Sequence, residues 1–198
     1  MKRWVAGILA IAISGCVGVS KTRYSESDVE GTTKRFEKYV GEMHVLPSVD
    51  LQVAPLNGKS TTLMVFPIPI YESEQEPPAD RFSVFVYIVS KRAGLTIAPQ
   101  GFVYLSPSGA AFEPVSMIGP FECRSSQPRP APKNSPLPAV VLVQGQCQTM
   151  LVTYKTQAPD PAQRFRFVLG ALQSGQEEIE LPIFQFAEST RRESVMIP

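Results

Sequence analysis

Prolines and glycines recur along this sequence, and they limit what the chain can fold into. Its 198 residues include 19 prolines and 13 glycines. Proline breaks a helix and cannot donate a hydrogen bond inside a sheet, so long helices are disfavoured and short strands joined by turns are favoured. Since 43% of the residues are hydrophobic, the chain can still bury one substantial core. The pattern predicts an all-β, loop-rich body.

Short apolar or alternating runs follow one another from Val49 onward, as is typical of sandwich strands. The clearest run, Phe82 to Val89, is apolar on both faces and should be a central strand, either covered on both sides or lying at a subunit contact. About eight or nine such runs predict an immunoglobulin-like antiparallel β-sandwich, with a small β-barrel as the alternative. We assign residues 49–198 to this domain.

Turn residues and prolines suggest how some of these strands are arranged. Asn57-Gly58 is a common hairpin turn, so Val49 to Phe66 is predicted to form a hairpin. Pro67 and Pro69 lack the backbone N–H that a sheet interior needs. Phe66 to Tyr71 should therefore lie at a sheet edge or run as extended chain outside a sheet.

The beginning of the chain has the features of an export signal. Lys2 and Arg3 are basic, Trp4 to Ile13 is an apolar and small-residue stretch, and Ser14-Gly15 supply the small residues that signal processing needs. Even extended to Val19, the stretch is shorter than the roughly 18 to 20 residues required of a membrane-spanning helix. A permanent membrane span is therefore the weaker interpretation.

The segment Ile13-Ser14-Gly15-Cys16 resembles the lipobox of bacterial lipoproteins. In that family the cysteine becomes the first mature residue and carries a diacylglycerol, usually with a further acyl chain such as palmitate on its amine. The resemblance implies that residues 1–15 are a lipoprotein signal peptide and that Cys16 is lipidated. Two or more acyl chains anchor a protein stably to a membrane. The alternative is an ordinary signal cleaved after Ala12, with Cys16 a free or disulfide-bonded thiol.

The same resemblance suggests a compartment. In enteric lipoproteins an aspartate directly after the lipidated cysteine favours retention in the inner membrane, and this chain has Val17 there. The resemblance therefore implies anchoring to the outer membrane, facing the periplasm.

Two segments are predicted between the lipid site and the sandwich. Residues 16–28 are polar and small, and should be the lipidated N-terminus and a flexible tether with a reach of about 20 Å. Residues 29–48 should form a short helix, capped by Ser25 or Ser27, or else an ordered arm on the body. Gly31 disfavours the helix.

Cys123 and Cys147 remain once Cys16 is used for the anchor. An even pair in an exported protein predicts a disulfide, with two separate buried thiols as the alternative. Between these cysteines five prolines crowd a short stretch, which favours an extended polyproline conformation or an exposed loop. Residues 124–138 are either a stiff loop or a ligand for an aromatic groove on a partner. These prolines are Pro128, Pro130, Pro132, Pro136 and Pro138.

Residues of the common catalytic and metal sites are mostly absent. The single histidine, His44, has apolar neighbours and should be structural. There is no nucleophile elbow, phosphate-binding glycine loop or zinc-ligand spacing. The acidic residues Glu72, Glu74, Glu76 and Asp80 could hold a cation but should serve solubility. We therefore predict no catalytic residues, no metal site, no cofactor and no enzymatic activity.

The charge balance argues against further classes of function. There are 19 lysines and arginines against 18 acidic residues, without a long run of either sign, which argues against nucleic-acid binding and against a polybasic membrane patch. The sequence predicts a cell-envelope lipoprotein that acts as a scaffold or interaction module for an envelope protein assembly. Its expected contact surfaces are the edge at residues 66–71 and the loop 124–138. The alternative is a periplasm-facing module that binds a small ligand or a glycan.

Overall fold

The computed structural model describes residues 16–65, 70–75, 77–123 and 137–197. These residues form seventeen strands and one short 3-10 turn, Pro99–Gly101. The strands are β1 (Cys16–Asp28), β2 (Thr33–Glu37), β3 (Gly41–Val45), β4 (Val49–Pro55), β5 (Lys59–Val65), β6 (Ile70–Gln75), β7 (Phe82–Ser90), β8 (Leu95–Ile97), β9 (Val103–Leu105), β10 (Ala111–Phe112), β11 (Ser116–Glu122), β12 (Val140–Val141), β13 (Cys147–Tyr154), β14 (Phe165–Val168), β15 (Ala171–Ser174), β16 (Glu177–Glu180) and β17 (Phe184–Ile197).

The strands form three antiparallel sheets. The seven-stranded sheet has the order β10-β9-β14-β17-β1-β5-β6, the six-stranded sheet β11-β13-β7-β4-β3-β2, and the four-stranded sheet β12-β8-β15-β16. Each has two end strands among the described residues, so none closes on itself and the barrel alternative is not formed. The predicted all-β antiparallel sandwich is confirmed, although with more strands than the sequence suggested. No helix that could span a bilayer occurs in the part of the chain that the structure describes.

One hydrophobic core joins the three sheets. Residues of β7 alternate between buried and half-buried, as the two-residue period of a strand requires. On the buried side, the ring of Phe82 lies 4.8 Å from that of Tyr104 and 6.1 Å from that of Phe165, both in the seven-stranded sheet. Leu95 and Leu172 bring the four-stranded sheet to the same core. Burying each such side chain contributes about 1.5 to 3 kcal/mol.

The N-terminal segments form strands rather than a helix and a flexible tether. Residues 29–48 form no helix: β2 and β3 pair as a hairpin at the edge of the six-stranded sheet, because the β-branched pair Thr32-Thr33 and the turn ending at Gly41, with a φ of 96°, favour strands. The residues predicted as a flexible tether form β1 instead. This strand pairs with β17 along its whole length and with β5 over residues 17–23. Composition alone cannot reveal such long-range pairing.

The predicted hairpin over Val49 to Phe66 is also wrong. Strand β4 pairs with β3 and β7, whereas β5 pairs with β1 and β6 in another sheet. Asn57 is fully buried at this crossing, and its Nδ2 donates to Ser25 Oγ at 2.8 Å and to the carbonyl of Pro159 at 3.1 Å. The turn at Asn57-Gly58 therefore connects strands of two different sheets instead of closing a hairpin.

Two other predictions, for β7 and for the edge near Tyr71, agree better with the structure. Strand β7 lies inside the six-stranded sheet, between β13 and β4, although its second face is half-buried. Strand β6, which contains Tyr71, is an end strand of its sheet, while residues 66–69 lie outside the described residues.

Candidate binding cleft

A cleft of about 680 Å³ opens at one end of the six-stranded sheet. The hairpin of β2 and β3, the start of β4, the end of β7 and the turn before β13 surround it. Its lining residues are Arg35, Glu37, Tyr39, Asp50, Val89, Ser90, Lys91, Glu122, Cys123, Gln144, Gly145, Gln146 and Cys147.

A buried carboxylate lies at the bottom of the cleft. Asp50 is only 1% exposed, yet its Oδ2 lies 2.6 Å from Arg35 Nη2 and its Oδ1 lies 2.7 Å from Lys91 Nζ. Lys91 Nζ also donates to the carbonyl of Leu46 at 2.7 Å. Burying a carboxylate costs several kcal/mol unless cations compensate it. Asp50 therefore positions two partly exposed cations at the cleft wall.

Sheet register explains why these residues meet. Asp50 in β4 stands opposite Val45 of β3 on one side and opposite Val89 of β7 on the other. Arg35 comes from the next strand out, β2, and Lys91 directly follows β7. Residues of β2 and β4 and the residue after β7 are thus needed to build the ion-pair group.

The charges of the cleft are nearly balanced. Glu37 and Glu122 line it together with Asp50, opposing the two cations. Amide groups add hydrogen-bonding capacity, and Gln144 Nε2 itself donates to the carbonyl of Lys91 at 3.0 Å. A lining of this kind suits a neutral, hydrogen-bonding ligand better than a phosphate or other strong anion.

The disulfide forms one wall. Cys123 and Cys147 are bonded at an S–S distance of 1.98 Å with their Cα atoms 5.4 Å apart, so the predicted pairing is confirmed. The bridge joins the end of β11 to the start of β13. Residues 124–136 of the proline-rich loop lie outside the described residues. At its far end, the carbonyl of Leu137 accepts a hydrogen bond from Gln100 Nε2 at 2.6 Å.

An apolar surface continues from the cleft along the outer face of the six-stranded sheet. We call it the aromatic strip. Cross-strand register places its members in neighbouring rows, and the rings of Phe85 and Tyr87 stack with centroids 5.7 Å apart. Burial raises the pKa of Tyr87. The strip consists of the half-buried residues Phe85, Tyr87, Val89, Ile118, Phe121 and Leu151.

Two buried acceptors flank Tyr87 in the same row. Gln52 stands opposite Tyr87 on one side and Thr149 on the other. Among the described residues, neither Gln52 Oε1 nor Thr149 Oγ1 has a hydrogen-bond partner. An unpaired buried polar atom costs about 1 to 3 kcal/mol.

The single histidine lies outside the cleft, and its hydrogen bonds give it a structural role. His44 is buried, with Nδ1 2.9 Å from Thr32 Oγ1 and Nε2 3.0 Å from Ser27 Oγ. Because the Thr32 hydroxyl donates to the carbonyl of Val29, His44 Nδ1–H must donate to Thr32, and the Ser27 hydroxyl donates to Nε2. Burial, and then the charge of Lys34, lower the pKa of His44. The neutral ring thus fastens β1 and the following turn to β3.

The other candidate residues are dispersed. Cys16 begins β1 opposite Ile197, and Asp80 pairs with its neighbour Arg81 at 3.8 Å. Glu72 and Glu74 belong to β6, and Glu76 lies outside the described residues. No group of three or more His, Cys, Asp or Glu side chains that could hold a metal is found within the described ranges.

Sequence reasoning missed the ion-pair group of the cleft. The available signal was Asp50 itself, a charged residue inside the alternating run from Val49 to Val53. No family model, curated protein or solved structure matches this chain. Its function is therefore inferred from its own residues.

Proposed function

We propose that this protein is a non-enzymatic lipoprotein of the bacterial cell envelope that serves as an interaction module for an envelope protein assembly. A lipid on Cys16 holds it to the membrane, which we place as the outer membrane on the strength of Val17. The aromatic strip, together with the adjoining cleft, is its protein-binding surface. The edge at residues 66–71 and the loop 124–138 are further proposed contact surfaces.

The aromatic strip is the observation that supports this proposal. The outer face of an antiparallel sheet is ordinarily polar, because it meets water. Here the strands β7, β11 and β13 present six apolar residues there, among them Phe85, Tyr87 and Phe121. Aromatic residues are enriched in protein interfaces, and a contiguous apolar surface commonly marks one. The partner that fits best is an extended polypeptide segment whose apolar side chains pack on these rings.

The partner surface can be tested by site-specific photocrosslinking in intact cells. A benzophenone side chain at Tyr87 should give one defined protein adduct, whereas the same group at Val141, which is 65% exposed in the four-stranded sheet, should give none. Phe85→Ser should weaken the Tyr87 adduct at least about tenfold without lowering the melting temperature by more than a few degrees. Identical adduct patterns from both positions would overturn the assignment of the binding surface.

The anchor has a separate test. Cells fed labelled palmitate should label the wild-type chain but not Cys16→Ser. The double variant Cys123→Ser/Cys147→Ser is the matched control, since it loses two cysteines but keeps the proposed lipid site. Equal labelling of Cys16→Ser and wild type would overturn the lipoprotein proposal.

The cleft supports a second candidate function, the binding of a small neutral ligand or glycan. Its balanced charges, the amides of Gln144 and Gln146 and the ring of Tyr39 offer the polar groups and aromatic surface that sugars use. A saturating glycan should raise the melting temperature of the mature chain, and Gln146→Ala should reduce the shift. Absence of any shift across a panel of neutral envelope glycans would contradict this alternative.

A further inference from the structure

The first and last strands run together out of the sandwich. Strand β14 pairs with β17 only at Phe184 to Phe186, where the body of the seven-stranded sheet ends. Beyond that point, among the described residues, β17 pairs only with β1, while β1 pairs with β5 and β5 with β6. We call this part of the sheet, residues 16–23, 59–65, 70–75 and 187–197, the extension. At about 3.3 Å per residue, the eight residues of β1 in it span roughly 26 Å.

The free end of the extension brings four chain segments to one place. The pairing of β1 with β17 ends at Cys16 opposite Ile197, and its pairing with β5 ends at Val17 opposite Val65. The pairing of β5 with β6 ends at Val65 opposite Ile70. Residues 1–15 join the chain at this same end.

Register also shows an abrupt change of composition along the extension. The last three rows before the free end contain no charged or carboxamide residue, and we call them the tip. The following rows bring Ser20 opposite Glu193, then Lys21 opposite Arg192, then Arg23 opposite Lys59. The tip consists of Cys16, Val17, Gly18, Met64, Val65, Ile70, Tyr71, Val195, Met196 and Ile197.

We propose that the tip inserts into the interface of the lipid bilayer and forms a second membrane contact beside the acyl chains on Cys16. Three rows of a strand are about 7 to 10 Å deep, which matches the depth to which amphipathic surfaces enter the boundary between headgroups and acyl chains. The inference rests on the proposed function, since the lipid on Cys16 brings the tip to the membrane. The charged rows, which carry both signs, then lie at the level of the headgroups.

The consequence is a fixed placement of the body. A flexible tether would let the sandwich tumble above the membrane, whereas a sheet inserted at its tip holds it at the far end of the extension. The cleft and the aromatic strip belong to the other large sheet, and no residue of the tip lines the cleft. They are thereby presented to the periplasm at a set height.

Vesicle binding of the unlipidated mature chain tests the proposal. Residues 16–198 with Cys16→Ser span all the residues that the structure describes, change only Cys16, and lack the lipid. This protein should float with phosphatidylethanolamine–phosphatidylglycerol vesicles and with phosphatidylcholine vesicles, because apolar contact dominates. Val65→Glu should lower the partition coefficient at least about tenfold, whereas Thr61→Glu, on the same strand within the polar rows, should leave it nearly unchanged.

Fluorescence gives an independent measurement. Trp4 is the chain's single tryptophan and is absent from the mature chain, so Val17→Trp introduces the sole reporter. Its emission should shift to the blue on addition of vesicles, while that of Thr61→Trp should not. If neither flotation nor a shift occurs while palmitate still labels Cys16, the tip proposal fails and the lipoprotein proposal stands. If the protein floats with vesicles but palmitate does not label Cys16, the tip proposal stands and the lipoprotein proposal fails.

Discussion

Individual residues are best understood through the partners that other strands bring to them. Asp50 interrupts the apolar alternation of β4, and its carboxylate is tolerated there because Arg35 and Lys91 reach it from two other elements. His44 is likewise placed by Ser27 and Thr32, so its ring packs as a neutral group inside the fold. In both cases the residue type follows from a need for hydrogen bonds or charge compensation in a buried position.

The ion-pair group of Asp50 predicts non-additive stability effects. Lys91→Met and Arg35→Met should each lower the free energy of unfolding by about 1 to 3 kcal/mol, because each leaves the buried carboxylate with one cation fewer. Arg35, which is half exposed, should give the smaller effect. In an Asp50→Asn background both substitutions should cost much less. Urea unfolding of the single and double variants measures these free energies. Equal losses of stability in the wild-type and Asp50→Asn backgrounds would contradict a role for the ion pairs.

The environment of His44 predicts a pH dependence of stability. Because its pKa is lowered from the ordinary value of 6.5, the unfolded chain binds more protons than the folded chain just below that pH. The free energy of unfolding should be highest above pH 6.5 and fall as the pH decreases through that value. Glu26 and Asp160 have lowered pKa values too, but they lose their contribution at more acidic pH. Chemical denaturation at pH 8 and pH 5.5 measures this decrease in the free energy of unfolding, and the decrease should vanish in His44→Gln. If that variant loses as much stability between the two pH values as the wild type, His44 is not the responsible group.

At the scale of elements, two local constraints shape the wall of the cleft. The pairing of β11 with β13 shifts register between Ile118 and Phe121, and the disulfide then closes the pair at Cys123 and Cys147. The backbone of Gly119 follows this shift with a φ of 119°. Both features determine where Ile118 and Phe121 of β11 lie within the aromatic strip.

Gly119 should be far less tolerant of a side chain than another glycine of similar conformation. A Cβ there would lie 2.8 Å from the carbonyl oxygen of Thr149, whereas one at Gly109, with a φ of 87°, would meet nothing within 4 Å. We expect Gly109→Ala to cost about 1 kcal/mol through backbone strain alone, and Gly119→Ala to cost at least about 2 kcal/mol. Thermal unfolding of the two variants checks this, and equal losses would show that the close contact is unimportant.

Reduction of the disulfide should destabilise the protein. The bridge spans a sequence separation of 24 residues, for which loop entropy gives about 3 to 4 kcal/mol. For a domain of this size that corresponds to a fall in melting temperature of about 10 °C. Calorimetry with and without reductant measures it, and Cys123→Ala/Cys147→Ala should be insensitive to reductant. An unchanged melting temperature in wild type, with two thiols titrated, would argue against the stabilising role.

At the scale of the whole molecule, the structure joins a packed sandwich to a less protected extension. Strand β7 has a paired strand on both sides and one fully buried face. The strands of the extension, by contrast, pair with one another beyond the point where β14 stops pairing with β17. The two parts should therefore differ in local stability.

Hydrogen exchange should separate these parts. Backbone amides of β4, β7 and β13 should exchange by global unfolding, and those of residues 16–23 and 187–197 should exchange at least about tenfold faster. Mass spectrometry of peptic fragments measures both sets in one experiment. Equal protection of the extension and of β7 would show that the extension is packed as firmly as the sandwich.

The sequence by itself determined the properties that depend on local pattern. The prolines, glycines and two-residue alternation were enough to predict the all-β class and the interior position of β7, and the even cysteine pair predicted the bond between Cys123 and Cys147. The export signal and the lipid site at Cys16 stay predictions from a local motif.

Only the tertiary structure decided which strands pair and which residues meet. It paired β1 with β17 from opposite ends of the chain and sent β4 and β5 to different sheets despite the turn at Asn57-Gly58. It also formed the hairpin of β2 and β3 where a short helix or an ordered arm was expected. The cleft follows from those pairings, since Arg35, Asp50 and Lys91 come from separate strands. The physical reason is that strand register is set by the shared burial of distant apolar faces, which no local window of sequence contains.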